Sequence, residues 1–200
     1  MITIPMVYKT VRYLADQIRH MSFEEVKVLK EKGNDYFRNK EYESARDTYT
    51  EAIFQAETLG EDGDNELKAA LYSNRAACYM YLEEPEPCLS DADHALSLKT
   101  PYPRCRLRRF WALRKTGKAN DALAELKKAI EEDPSLESSY TKEMREVQKE
   151  ADDETEKMKQ EALGQLKDLG NKFLGLFGMS TDNFNLQQNP DGGYNIQFNK

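Results

Sequence analysis

The chain is poor in the residues that build metal and redox sites. Among its 200 residues there are three cysteines, Cys78, Cys88 and Cys105, and two histidines, His20 and His94. No two cysteines form a CxxC pair and neither histidine sits at a metal-ligand spacing, so zinc and dithiol chemistry have no motif here. The cysteines read as small residues buried in a reduced, cytoplasmic protein. No glycine-rich phosphate loop joins a strand to a helix. The paired carboxylates lie on helix faces, where a run of charge is a solvated surface. Catalysis is therefore not expected, and no cofactor is called for. No apolar stretch approaches the ~20 residues of a membrane span. The formal net charge of −7 disfavours general nucleic-acid binding. Residues 1–21 carry Lys9, Arg12 and Arg19 with no acid before Asp16, a weak likeness to a transit peptide. They lack its serine richness, and they read as a leading segment.

What the chain does have is periodicity. Residues 26–59, 69–102 and 103–136 align as three units of equal length. The eighth position of each holds Gly33, Ala76 and Phe110. The twentieth holds Ala45, Cys88 and Ala122, and the twenty-seventh holds Ala52, Ala95 and Ala129. Tyr36, Tyr79 and Leu113 occupy the eleventh. Small residues at the eighth and twentieth let two helices approach, and the larger ones fill the space between. The departure is Phe110, large where a small residue is usual. Pro85 and Pro87 fall where the second unit turns into its second helix, a position that suits proline. About nine extra residues, "GEDGDNELK", separate the first two units and read as a loop, with longer flanking helices as an option.

This is the pattern of the tetratricopeptide repeat (TPR), an antiparallel helix pair that stacks into a right-handed superhelix. The fold class read from it is all-α. Three repeats span 22–136. A charged helix over roughly 136–169 follows, and its first apolar residues, Tyr140, Met144 and Val147, cap the open end of the array. The C-terminal region divides at about residue 170. The tail, 171–200, is apolar and glycine-rich at first. It then alternates as "NFNLQQ" and "YNIQFN" around Pro190, Asp191, Gly192 and Gly193, which predicts a β-hairpin.

Basic charge is concentrated. From Lys99 to Lys118 there are eight basic residues and no acid. Arg104 and Arg108 are four apart and share one helix face. In a TPR array the first helices line the concave surface, so Lys30, Asn34, Asn74, Arg104 and Arg108 belong to groove-lining helices. Lysine, arginine and carboxamides converging in this way suit carboxylate recognition.

"LKEKGN", "LYSNRAACY" and "PRCRLRR" resemble the carboxylate-clamp class of TPR co-chaperones. The resemblance implies clamp residues at Lys30, Asn34, Asn74, Arg104 and Arg108, with Arg104 replacing the usual lysine. It implies a ligand, the terminal Glu-Glu-Val-Asp of heat-shock protein 70 and 90 chaperones, and an apolar contact from Phe37 to its valine. More narrowly, the tail "LGQLKDLGNKFLGLFGMSTDNFNLQ" makes the chain similar to the tetratricopeptide repeat protein 1 family over about residues 22–198. Residues 1–21 do not match, and that family's long acidic N-terminal region is not seen, which reads as a shortened form or a displaced start. The family implies a cytoplasmic chaperone adaptor linked to signalling proteins. Three other readings stand beside it. One is a general TPR scaffold without chaperones. Another is nucleic-acid binding through the basic, aromatic 99–118 stretch. The third is membrane attachment by "KFLGLFG".

Overall fold

The computed structural model describes residues 23–59, 64–188 and 194–198. The leading segment and the turn residues of the expected hairpin lie outside them. The described residues fall in two compact units, which divide between Ala151 and Asp152.

The first unit contains three antiparallel helix pairs. Helix α1 covers residues 23–38 and pairs with α2, Tyr42–Thr58. Helix α3, Asn65–Tyr81, pairs with α4, Pro85–Leu98. Helix α5, Pro103–Lys115, pairs with α6, Ala119–Glu132. A 3₁₀ turn, Pro134–Leu136, leads into the long helix α7, Glu137–Gly175.

Each pair turns in the same way. Lys40, Glu83 and Gly117, the fifteenth residue of each aligned unit, adopt positive φ of 63°, 58° and 75°. The next residue's N–H then reaches back to close the helix end. Glu41 bonds the Tyr36 carbonyl, Glu84 that of Tyr79 and Lys118 that of Leu113. This is the left-handed helix terminus that glycine favours, yet only the third pair has glycine. Lysine and glutamate in the left-handed region cost roughly 1–2 kcal/mol each.

Alanines and cysteines make the close contacts. Ala45, Ala52, Ala76, Cys88, Ala95, Ala122 and Ala129 have no exposed surface. Phe110 is also buried, against Leu113, Ala119, Ala122 and Leu126. Small partners in α6 thus make room for its ring. The same cluster takes Val147 and Ala151 of α7, with Tyr140 and Met144 packed beside them. That contact closes the end of the array. In the stretch before the second unit, expected to be a loop with longer flanking helices as an option, residues 65–68 form the first turn of α3, and 60–63 lie outside the described residues. Asp64 caps α3 by accepting from the Leu67 N–H at 3.0 Å, and Glu66–Lys68 are already helical. Helices α2 and α3 have 17 residues each, against 13 or 14 in α4, α5 and α6. The extra length went into helix, where it buries Leu67 instead of leaving it in solvent.

A buried ion pair ties the first two pairs together. Arg75 of α3 forks onto both carboxylate oxygens of Asp91 in α4, each at 2.7 Å, and reaches Thr50 of α2 at 3.1 Å. Its guanidinium also lies 5.6 Å and 5.9 Å from the ring centres of Tyr72 and Tyr79.

In the second unit α7 continues past its expected end near residue 169 to Gly175. Gly170 leaves room for Thr181, whose methyl would lie 2.9 Å from an added Cβ. The Thr181 N–H donates to Asn171 Oδ1 at 2.6 Å, and Lys167 pairs with Asp182 at 2.7 Å. Strands β1, Phe184–Gln188, and β2, Tyr194–Phe198, run antiparallel with Phe184 opposite Phe198 and Leu186 opposite Ile196. Leu166, Leu169, Phe173, Leu176 and Phe177 are exposed.

Two predictions test the packing. Asp91→Ala strands the Arg75 charge and is expected to lower stability by about 3–5 kcal/mol, read from the urea midpoint. Lys40→Gly is expected to raise stability by about 1 kcal/mol and Gly117→Ala to lower it by as much. Nothing lies within 4 Å of a Cβ at Gly117, so that loss isolates the backbone term.

Candidate functional site

The site begins with a contact that only glycine permits. An added Cβ at Gly33 would meet the Tyr49 ring at 2.6, 2.8 and 2.9 Å. The ring therefore lies flat against α1, fully buried. Its hydroxyl emerges at the next residue and donates to Asn34 Oδ1 at 2.6 Å. Burial holds the Tyr49 phenol well above its usual range. The same Asn34 oxygen accepts from Asn74 Nδ2 of α3 at 3.1 Å. Arg108 of α5 donates to Ser73 of α3. Helices α1, α3 and α5 are thus joined through polar side chains on one surface.

Between them is a pocket of about 200 Å³ lined by Asn34, Phe37, Arg38, Tyr49, Asn74, Ala77 and Arg108. Beside it is a second of about 390 Å³, and Arg108 lines both. Arg104, Leu107, Trp111 and Tyr140 line the second. The six residues singled out from sequence divide accordingly. Asn34, Phe37, Asn74 and Arg108 share the smaller pocket. Arg104 stands at the larger one, exposed. Lys30 lies one turn before Asn34 on α1, its Nζ 3.3 Å from Glu31 Oε1. Phe37 also makes edge contacts, both at 5.4 Å, with the stacked rings of Tyr42 and Tyr81.

The basic stretch is mostly spent inside the protein. Arg106 binds Glu125 and Glu132 at 3.0 and 2.6 Å. Arg109 binds Asp93 and Glu125 at 2.6 and 2.9 Å. Arg114 binds Glu146 and Glu150 of α7 at 3.1 and 2.7 Å. Lys99 and Lys115 reach Glu66 and Glu83 more loosely, at 3.2 and 4.0 Å. Arg104, Arg108 and Lys118 remain, with no carboxylate partner among the described residues. Of these, Arg108 shares the smaller pocket with Asn74, and Arg104 lines the larger one with Arg108 and Glu143. A stripe free to bind a nucleic-acid backbone is therefore not what these eight residues form.

Sequence reasoning missed three contributors. Tyr49 is the twenty-fourth residue of its unit, a position expected only to fill the space between the two helices, and its hydroxyl's part in the site had no signal. Ser73 and Glu31 precede Asn74 and Asn34's turn without any motif of their own. The cysteines take no part in the site. All three are buried, which pushes the Cys78 and Cys88 thiols up to about 12. Among the described residues no group of three or more metal-ligating side chains is placed to hold an ion, and no helix is long and apolar enough to cross a membrane.

The chain is similar to known proteins in sequence and in fold. No family model matches the chain. It is 38% identical over 56% of its length to the mitochondrial import receptor subunit tomm-70 of Caenorhabditis elegans, of which that covers 19%. It is 36% identical over 63% of its length to the DnaJ homolog subfamily C member 7 homolog of Schizosaccharomyces pombe, covering 26% of that protein. The chain thus spans about a quarter or less of these curated relatives. Among solved structures, the first TPR of Spaghetti (RPAP3) bound to the HSP90 peptide SRMEEVD is 29% identical, with TM-score 0.54 over 63% of this chain and 92% of that one. The second TPR domain of human RPAP3, in complex with the HSP70 peptide SGPTIEEVD, is 26% identical, with TM-score 0.54 over 65% of this chain and 98% of that one. The helical array has the fold of these TPR domains.

Gly33→Ala tests the founding contact. A helix interior normally gains roughly 1 kcal/mol from this change. Here overpacking against Tyr49 is expected to reverse the sign, with a net loss of about 1–2 kcal/mol in urea unfolding.

Proposed function

We propose that the chain is a non-enzymatic co-chaperone adaptor. Its three helix pairs are three TPR repeats, and their groove clamps the C-terminal Glu-Glu-Val-Asp of heat-shock protein 70 and 90 chaperones. The observation that carries this is the charge ledger of α5. Two arginines of α5, Arg104 and Arg108, have no carboxylate partner among the described residues, unlike most of their basic neighbours, and Arg108 shares a pocket with the hydrogen-bonded Asn34–Asn74 pair. A free peptide terminus ending in aspartate supplies the missing carboxylates. Two structures of similar fold, at 29% and 26% identity, hold peptides ending in EEVD, which supports the same chemistry here.

In this reading Arg108 and Asn74 hold one carboxylate, with Asn34 and Lys30 completing the grip. Arg104 reaches the peptide from the mouth of the adjoining pocket. Phe37, on the wall of the smaller pocket, meets the valine. The tail "LGQLKDLGNKFLGLFGMSTDNFNLQ" supports the narrower assignment to the tetratricopeptide repeat protein 1 family. That assignment brings a cytoplasmic location and links to signalling proteins, with the C-terminal hairpin as a separate element.

Calorimetric titration of a peptide ending in Met-Glu-Glu-Val-Asp tests the clamp. The free acid is expected to bind about 10- to 100-fold more tightly than its C-terminal amide, the worth of one charge-assisted bond. Arg108→Ala is expected to weaken the free acid by a similar factor, with helix content unchanged by circular dichroism. Equal affinity for acid and amide would leave only a general TPR scaffold.

A further inference from the structure

Asn34 offers one carbonyl oxygen and one amide nitrogen. Its oxygen is committed twice over, to the Tyr49 hydroxyl and to Asn74 Nδ2. Its nitrogen is therefore turned away from both as a donor. That donor is itself engaged: Nδ2 donates to Glu31 Oε2 at 3.1 Å. The other oxygen, Glu31 Oε1, lies 3.3 Å from Lys30 Nζ. One carboxylate thus spans both clamp residues of α1. The Asn34 amide, helped by Lys30, holds the Glu31 carboxyl below the usual carboxylate range. Its side chain is 62% exposed, so it can swing away by rotation about its own bonds without disturbing the helix.

We propose that Glu31 is a built-in stand-in for the ligand carboxylate. It occupies Lys30 and Asn34 while the groove is empty and is displaced when an acidic peptide terminus arrives. The inference rests on the carboxylate-clamp reading. It assigns Glu31 a part in specificity. Only a ligand group with a full negative charge replaces what Lys30 and Asn34 give up. A neutral terminus leaves Glu31 in place. The displacement also lowers the affinity of every acidic ligand by a modest constant factor, because the pair it breaks is exposed.

The test uses the full chain and the peptide ending in Met-Glu-Glu-Val-Asp. Glu31→Gln keeps the size of the side chain and removes its charge. It is expected to bind the free acid about two- to fivefold more tightly, the range of an exposed ion pair, with no comparable gain for the amide. Glu25→Gln removes the same charge from α1 about 9 Å away along the helix and is expected to change binding less. In the peptide-free protein, the Asn34 side-chain amide resonance should follow the titration of Glu31 and lose that response in Glu31→Gln.

Three results would overturn the proposal: Glu31→Gln leaving the free-acid affinity unchanged, weakening it, or matching the effect of Glu25→Gln. The first or third means that the carboxylate is a bystander, and the second that it orients the clamp. If the wild type prefers acid over amide and Glu31→Gln shows no gain, the clamp stands and the stand-in fails. If the wild type shows no preference, both fall together.

Discussion

The ring of Tyr49 occupies the space where residue 33 would carry a side chain, and the rest of the candidate site is arranged around that contact. Because Gly33 has no Cβ, α2 lies close enough to α1 for the phenol to reach across to Asn34. The hydroxyl orients the carboxamide, which is shared with Asn74 of the next pair. The packing of two helices in the first pair thus sets the direction of a donor on the groove surface. A looser contact would still bury the ring, but it would not aim the amide.

A second constraint is electrostatic. Charges brought into a half-buried setting need partners, since an unpaired one costs more than a pair returns. The array meets this with forks between neighbouring helices: Arg75 on Asp91, Arg106 on Glu125 and Glu132, Arg114 on Glu150. Each bridges elements that hydrophobic packing has already brought together, so each also fixes their register. Among the described residues Arg104 and Arg108 are exceptions to that rule, and Arg108 lines the pocket that also holds the Asn34–Asn74 pair. The same logic explains Glu31. Among the described residues Lys30 has no carboxylate from another helix, and Glu31 serves it from the adjacent position.

The small-residue pattern and the helix pairs could be read directly from the chain. Alanine and cysteine at fixed intervals are the imprint of helices in close contact, and a local period survives any change of neighbours. The equivalent turns at Lys40 and Glu83 were not visible. A left-handed terminus normally announces itself through glycine, and of the three pair turns only that at Gly117 does so. The helical second half of "GEDGDNELK" was only an option in the sequence, for a related reason. Its acids and glycines signal a loop, while the burial of Leu67 that favours helix depends on residues distant in sequence.

For the candidate site, sequence alone determined which residue types stand on the groove-lining helices, because helical spacing puts Lys30 with Asn34 and Arg104 with Arg108 on common faces. Only the tertiary structure decided which of those charges are spent. Whether an arginine is consumed or left over depends on acids brought beside it by packing: Glu125 and Glu132 from α6, Glu146 and Glu150 from α7. Nothing local to "PRCRLRR" distinguishes Arg106 and Arg109 from Arg104 and Arg108. Helix geometry turns the first two toward carboxylates of α4 and α6 and the second two away from them. Periodicity is a property of the chain, but pairing is a property of its neighbours in space.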